Sequence, residues 1–150
     1  MKISIINGPN LALLGTREPS IYGNETLTQI MDNAKNHAHK NGITIEGFQS
    51  DIEGELVRYI GACRDQVQGL IINPAAYTHT SVAIRDAIAA SGLPCIEVHL
   101  SNTHTRESFR HESLTVPVCI GQIMGFGGFG YILALDAMQA FLKGKKQTNR

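Results

Sequence analysis

The sequence is poor in the features that would send a chain to a charged or apolar partner. Basic and acidic residues balance at a formal net charge of +0, so it lacks the general attraction to nucleic acid or to an anionic membrane surface that a basic chain has. No run approaches the ~18 consecutive apolar residues of a membrane span. No charged segment followed by an apolar stretch precedes the first strand, so no secretory leader is expected. Cysteine is scarce: Cys63, Cys95 and Cys119 are odd in number, lack CxxC spacing and sit in apolar surroundings. They read as free buried thiols of a reducing compartment, and a cytoplasmic location is expected. Cofactor signatures are missing too. There is no phosphate loop ending in Gly-Lys-Ser or Gly-Lys-Thr, and no GxGxxG follows the first strand. Gly125 to Gly130 is glycine-rich but comes after the last strand, and reads as a close-packed turn. The first strand has no clustered aspartates to hold Mg²⁺ for a phospho-receiver. Lys2, Lys35, Lys40, Lys143, Lys145 and Lys146 lie at the chain ends or on the first long helix. None falls at a strand end, which argues against Schiff-base chemistry. The missing phosphate-loop signatures speak against a bound nucleotide.

What is present is a regular alternation. With 150 residues, 43% of them hydrophobic, the chain suits one compact domain. Ile3 to Ile6 reads as a first strand. Thr26 and Gln29 form a capping box that opens an amphipathic helix to about Asn41. Ile43 to Phe48 alternates as a second strand. Ser50 and Glu53 form a second capping box, before a helix with Ile52, Leu56, Tyr59, Ile60 and Cys63 as its apolar stripe. Gly69 to Asn73 is a continuous apolar strand of the kind buried on both faces of a parallel sheet. A third helix follows, with Val82, Ile84, Ala87 and Ile88 inward, then a fourth strand from Cys95 to Leu100. After a polar stretch, Val116 to Met124 supplies a fifth strand and Tyr131 to Leu142 a last helix. That helix is apolar around most of its circumference, which suggests a surface covered by other subunits. Residues 144–150 are expected as a disordered basic tail. Five strand–helix alternations imply an α/β, flavodoxin-like fold: a single domain with a five-stranded parallel sheet and helices on both faces.

In such sheets, sites form where strands end at their carboxyl termini. Three groups of residues qualify. The first is a long connection, residues 8–25, punctuated by Gly8, Pro9, Gly15, Pro19 and Gly23, which reads as an active-site lid. It carries Asn10, Arg17 and Tyr22; a guanidinium beside a phenol favours the phenolate, a usable base. The alternative is that Tyr22 packs and Arg17 is solvated. The second group is Asn73 with His79. The Asn73 amide can cap a turn or hold a carbonyl or carboxylate, and His79 sits near a helix N-terminus. The third is Glu97, His99 and Ser101. Glu97 and His99 share one face of a strand, as a structural ion pair or as an imidazole held for proton transfer. By residue type alone, Arg85 and Asp86 belong to a solvated helix face.

Taken together, Asn7-Gly8-Pro9-Asn10-Leu11, Arg17-Glu18-Pro19, Tyr22-Gly23, the segment from Ile72-Asn73-Pro74 to His79-Thr80-Ser81, and Glu97-Val98-His99-Leu100-Ser101-Asn102 resemble type II 3-dehydroquinate dehydratases over nearly the whole chain. The resemblance implies a flavodoxin-like hydro-lyase that forms 3-dehydroshikimate and water from 3-dehydroquinate, in the shikimate route or in quinate breakdown. It implies an enolate intermediate, no Schiff base and no metal, and a dodecamer built as a tetramer of trimers. By the same resemblance Tyr22 is the base, Arg17 activates it, and Asn10 lies at the enolate site, acting through a water. His99 is the acid, held by Glu97. Asn73, His79, Leu100, Ser101 and Arg110 bind substrate, and Asp86 reaches a neighbouring subunit's site. Arg106 lies near this set, where it can help close the lid. One departure is Ala12, where many members carry a second asparagine. Two other readings stay open on residue chemistry: a flavin- or nucleotide-binding module, and a metal hydrolase using His79, His99, His104 and Glu97.

Overall fold

The computed structural model describes the backbone of residues 1–148 and the side chains of residues 1–145. Five strands, β1 (Lys2–Asn7), β2 (Thr44–Gln49), β3 (Gly69–Asn73), β4 (Cys95–His99) and β5 (Gly121–Met124), form one sheet. They are parallel throughout and ordered β2-β1-β3-β4-β5. This is the doubly wound order of the flavodoxin-like fold.

Alternation along the strands sorts the apolar residues into two cores. Ile3, Ile5, Ile71, Ile96 and Val98 point to one face, where Ile30, Ala34, Tyr131, Leu135 and Met138 cover them. Those come from helices α2 (Leu27–Lys40) and α5 (Phe129–Thr148). Ile6, Leu70, Ile72 and Cys95 point to the other face. There they meet Leu56 and Ile60 of α3 (Glu53–Ala62), and Ile84 and Ile88 of α4 (Val82–Ser91). A short helix, α1 (Pro19–Tyr22), lies within the first long connection. Among the described residues no helix is long and apolar enough to cross a membrane.

Several local expectations need correcting. The Thr26–Gln29 capping box is present, but Ser50 and Glu53 do not form one. Ile52 is the residue before α3 and caps nothing. Ser50 instead accepts from the Ile52 N–H at 3.0 Å and donates to Glu55, while Glu53 takes the hydroxyl of Ser81. Ile52 and Val82 fall outside their apolar stripes, 59% and 58% exposed, because each sits at a helix start where the chain has not yet turned toward the sheet. The fifth strand is only Gly121–Met124. Val116–Val118 is a single 3₁₀ turn, since Pro117 offers no N–H to a sheet ladder. The last helix starts at Phe129 and continues to Thr148, through most of the expected tail. Lysine is a good helix former, and Lys143 and Lys145 near the C-terminal end complement the helix dipole. Asn149 and Arg150 lie outside the described residues.

Two close approaches bring the strand ends together. The Gly8 N–H donates to the Asn73 carbonyl at 2.8 Å. A Cβ at Gly8 would lie 2.5 Å from the Pro74 carbonyl oxygen, so only glycine lets the chain leaving β1 cross against the chain leaving β3. The next turns use positive φ at Asn10 (66°) and Ala75 (53°). Asparagine tolerates that conformation; alanine at +53° is strained, and it lies beside the cavity described next.

Candidate active site

At the carboxyl ends of β1, β3 and β4 lies a small cavity of about 100 Å³. Three segments build it. The first connection contributes Asn10, Arg17 and Tyr22, the β3 end contributes Asn73 and His79, and the β4 end contributes His99, Leu100 and Ser101. Arg106 and Arg110 close the rim. The structure therefore brings together ten of the residues singled out from sequence, from segments up to 100 positions apart. Asp86 is not among them. It sits on the exposed face of α4, outside the cavity of its own chain. Glu97 lies one layer below, behind His99. Ala12 is exposed in a single 3₁₀ turn, Leu11–Leu13, and does not line the cavity.

The Tyr22 ring is flanked by two cations. The guanidinium carbon of Arg17 lies 5.5 Å from the ring centroid and that of Arg106 lies 5.2 Å away. The short helix α1 makes this possible. It starts at Pro19, whose fixed φ suits a first helical turn, and ends at Gly23 with φ +82°. Arg17 pairs with Glu18 at 3.4 Å. Arg106 donates to the Ser101 hydroxyl at 3.5 Å, and Arg110 is held by Glu107 at 2.8 Å. Sequence reading put Arg106 in a secondary place; it lies as near the Tyr22 ring as Arg17 does.

The imidazole of His99 meets Glu97 Oε1 through Nε2 at 2.7 Å. With Nε2–H donating to the carboxylate, Nδ1 is left for the cavity that His99 lines. Glu97 is completely buried and collects five side-chain donors. Besides His99 these are Thr78 at 3.0 Å, Ser113 at 3.0 Å, Thr115 at 2.5 Å and Gln122 at 2.9 Å. Burial by itself raises the carboxyl's pKa. The His99 hydrogen bond and charge, with the Thr115 and Thr78 hydroxyls, outweigh burial and hold it below its ordinary value. Glu97 is therefore an anchored carboxylate, and it fixes both the orientation and the tautomer of the imidazole.

Sequence reading found Glu97 and His99 but missed Thr78, Ser113, Thr115 and Gln122. Gln122 is the register partner of Glu97 across β4 and β5, so its side chain shares that face. The strand alternation carried that signal, but the pairing register was needed to use it. The three hydroxyl residues sit in irregular segments whose positions no local pattern gives. His79 is oriented in the same manner: its Nδ1–H donates to the Glu112 carbonyl at 2.6 Å, leaving Nε2 for the cavity. Among the described residues no three His, Cys, Asp or Glu side chains converge as a metal site needs, and no lysine lines the cavity.

The arrangement offers a phenol flanked by positive charge, an imidazole backed by a buried carboxylate, and amide and hydroxyl groups between them. Comparison with known proteins bears on its use. The family model described as "Dehydroquinase class II" matches residues 1–139. A 3-dehydroquinate dehydratase of Sulfurovum sp. (strain NBC37-1) is 58% identical over 142 residues, covering 95% of this chain and 88% of that protein. One from Clostridium perfringens (strain 13 / Type A) is 51% identical over 146 residues, covering 97% and 100%. The crystal structure of type II dehydroquinase from Butyrivibrio crossotus DSM 2876 superposes with a TM-score of 0.91 at 47% identity, covering 93% of this chain and 97% of that one.

Proposed function

The chain belongs to the class II dehydroquinase family, and from that membership we propose that it is a 3-dehydroquinate dehydratase, a hydro-lyase that eliminates water from 3-dehydroquinate to give 3-dehydroshikimate. The observation that carries this reading is the convergence of Tyr22, Arg17 and His99 on one cavity at the strand ends. It is one catalytic domain, with residues 8–25 as the lid over the site.

Elimination next to a ketone needs a base for the carbon-bound proton, a group for the enolate oxygen, and an acid for the departing hydroxyl. Tyr22 acts as phenolate and takes the proton. Arg17 and Arg106, with guanidinium carbons 5.5 and 5.2 Å from its ring centroid, supply the positive charge beside it, and act more strongly once the lid shuts water out. Asn10, at the left-handed turn after β1, stabilises the enolate through a water. The imidazolium of His99 then gives its proton to the leaving hydroxyl and water departs, while Glu97 stabilises the charged ring. Asn73, His79, Leu100, Ser101 and Arg110 hold the substrate, with Arg110 the natural partner of its carboxylate. No lysine among the described residues lines the cavity, and the proposed route calls on neither a Schiff base nor a metal.

The test is direct. Purified protein given 3-dehydroquinate should produce the rising ultraviolet absorbance of a conjugated enone, and borohydride added with substrate should trap no adduct. A flat absorbance trace sinks the reading. The proposal extends to assembly: a cytoplasmic dodecamer of four trimers, in which Asp86 on the exposed face of α4 reaches a neighbour's site and the apolar flank of α5 is covered. Sedimentation as a stable monomer would remove that assembly and the role of Asp86 with it.

A further inference from the structure

Beneath the cavity floor runs a buried polar chain of which the proposed chemistry uses only one member, Asn73. Asn7 and Asn73 end β1 and β3 and are register partners. Their side chains point to the face covered by α5, as do those of Ile5 and Ile71. Between them sits the phenol of Tyr131, from the first turn of α5 and fully buried. Tyr131 donates to Asn7 Oδ1 at 2.6 Å and accepts from Asn73 Nδ2 at 3.2 Å. Asn7 Nδ2 turns to the Met31 sulfur at 3.6 Å, and Asn73 Oδ1 accepts the Ala75 N–H at 3.1 Å. All three central residues are no more than 2% exposed.

We propose that Tyr131 is a positioning residue for substrate binding, fixing the Asn73 amide so that it presents an N–H donor, not its carbonyl, to the oxygen of a bound ligand. The argument is one of polarity. An asparagine amide can exchange its oxygen and nitrogen by a half-turn, and only its partners decide which way it faces. The Ala75 N–H can only donate, so it takes Oδ1. A phenol can both donate and accept, and the Asn7 carbonyl oxygen claims its proton. Its lone pair is therefore left for Asn73 Nδ2, which cannot turn away without losing bonds at both ends. One of the two Nδ2 hydrogens is spent on Tyr131, and the other faces the cavity that Asn73 lines. The same bond to Ala75 anchors the strained positive-φ turn that brings Ala75 and Ala76 to the cavity wall. Full burial pushes the Tyr131 phenol's pKa up, with the Asn73 hydrogen bond pulling the other way. It stays a neutral relay and is no second base. The last helix of the chain thereby sets a binding group at the end of a central strand.

This inference rests on the dehydratase reading for its substrate, and the experiment separates the two. In steady-state assays with 3-dehydroquinate, Tyr131→Phe should raise KM about tenfold, the effect of one lost hydrogen bond, while kcat changes much less. Combined with Asn73→Ala, it should add nothing further to the loss in kcat/KM, because the phenol acts through that amide. Should Tyr131→Phe fail to fold, Asn7→Ala breaks the same chain from its far end and should give the same split. A kcat/KM close to the parent's, or losses that multiply in the double variant, would overturn the proposal. If the parent turns over no 3-dehydroquinate, the dehydratase reading has failed, and the relay is decided by exchange of the Asn73 side-chain amide protons, read by nuclear magnetic resonance. Exchange faster by about tenfold in Tyr131→Phe supports it; unchanged exchange overturns it.

Discussion

The two sides of the cavity are held in opposite ways. On the strand side, Glu97 and His99 are 0% and 6% exposed, and the carboxylate is fixed by five side chains. On the loop side, the Arg17 side chain is 39% exposed and ion-paired only with its sequence neighbour Glu18 among the described residues. Tyr22 is half-buried, on a four-residue helix between two positive-φ positions, Glu18 and Gly23. In the proposed mechanism each side moves a proton, yet one is buried and tied by hydrogen bonds while the other is partly exposed. The difference follows from what each must do. An acid needs a settled tautomer and charge, which buried hydrogen bonds supply whether or not substrate is present. A base on a lid must let substrate enter and then exclude water around itself, and tight packing would forbid that. The lesson is that activity and stability should separate on the loop side and travel together on the strand side.

The sharpest way to break this comparison is at the proposed base and at the carboxylate that holds the proposed acid. Tyr22→Phe should lower kcat by about 10²- to 10⁴-fold, the contribution of a positioned base. It should leave substrate binding nearly intact and move the thermal midpoint by no more than about 1–2 °C, as for a surface change. Glu97→Gln comes second. It should lower kcat by roughly 10²-fold, through a misoriented and uncharged imidazole, and should also cost about 1–3 kcal/mol of stability by leaving buried donors mismatched. Denaturant unfolding beside the absorbance assay reads both. A Tyr22→Phe variant as destabilised as Glu97→Gln would show that the loop side is no looser than the strand side.

What is legible in the sequence follows the same division. The continuous apolar run Leu70-Ile71-Ile72 and the pair Glu97/His99 are local signals, and both carried through to structure. So did the order of elements, because strand–helix alternation constrains a parallel sheet strongly. The misreadings came where a partner distant in sequence decides the outcome. Glu53 fits a capping box by spacing, yet the hydroxyl of Ser81 claims it. Val116 to Ile120 is apolar enough for a strand, yet Pro117 interrupts it. Tyr131 reads from sequence only as part of an apolar helix, since nothing nearby says that its hydroxyl meets Asn7, 124 positions earlier. Asp86 shows the limit from the other side. One chain leaves it exposed, and its proposed role depends on a second copy.

The smallest predicted effect tests the strand side at its edge and compares it with the loop side directly. Thr115 is fully buried, donates to Glu97 Oε2 at 2.5 Å and lies 2.8 Å from the Thr78 hydroxyl. Thr115→Val keeps its shape and deletes one of five donors. The expected cost is about 1–2 kcal/mol, with kcat lowered only a few-fold because His99 keeps its partner. The acid limb of stability adds a sign. Glu97 sits below its ordinary value of 4.5 in the folded protein, so below that pH the unfolded chain binds more protons than the folded one. Its contribution is present above about 4.5 and is lost as pH falls through the folded value. Removing Thr115's hydrogen bond lessens the depression, so the variant should lose less on acidification than the parent and start from a lower plateau. Thr16 is the control on the loop side. It is exposed, and its hydroxyl reaches only the Leu13 carbonyl among the described residues, at 2.9 Å. Thr16→Val should stay within about 0.5 kcal/mol of the parent with an unchanged acid limb. If the two valines cost the same, the five-fold anchoring of Glu97 is no stronger than a surface turn, and the rigid strand side loses its meaning.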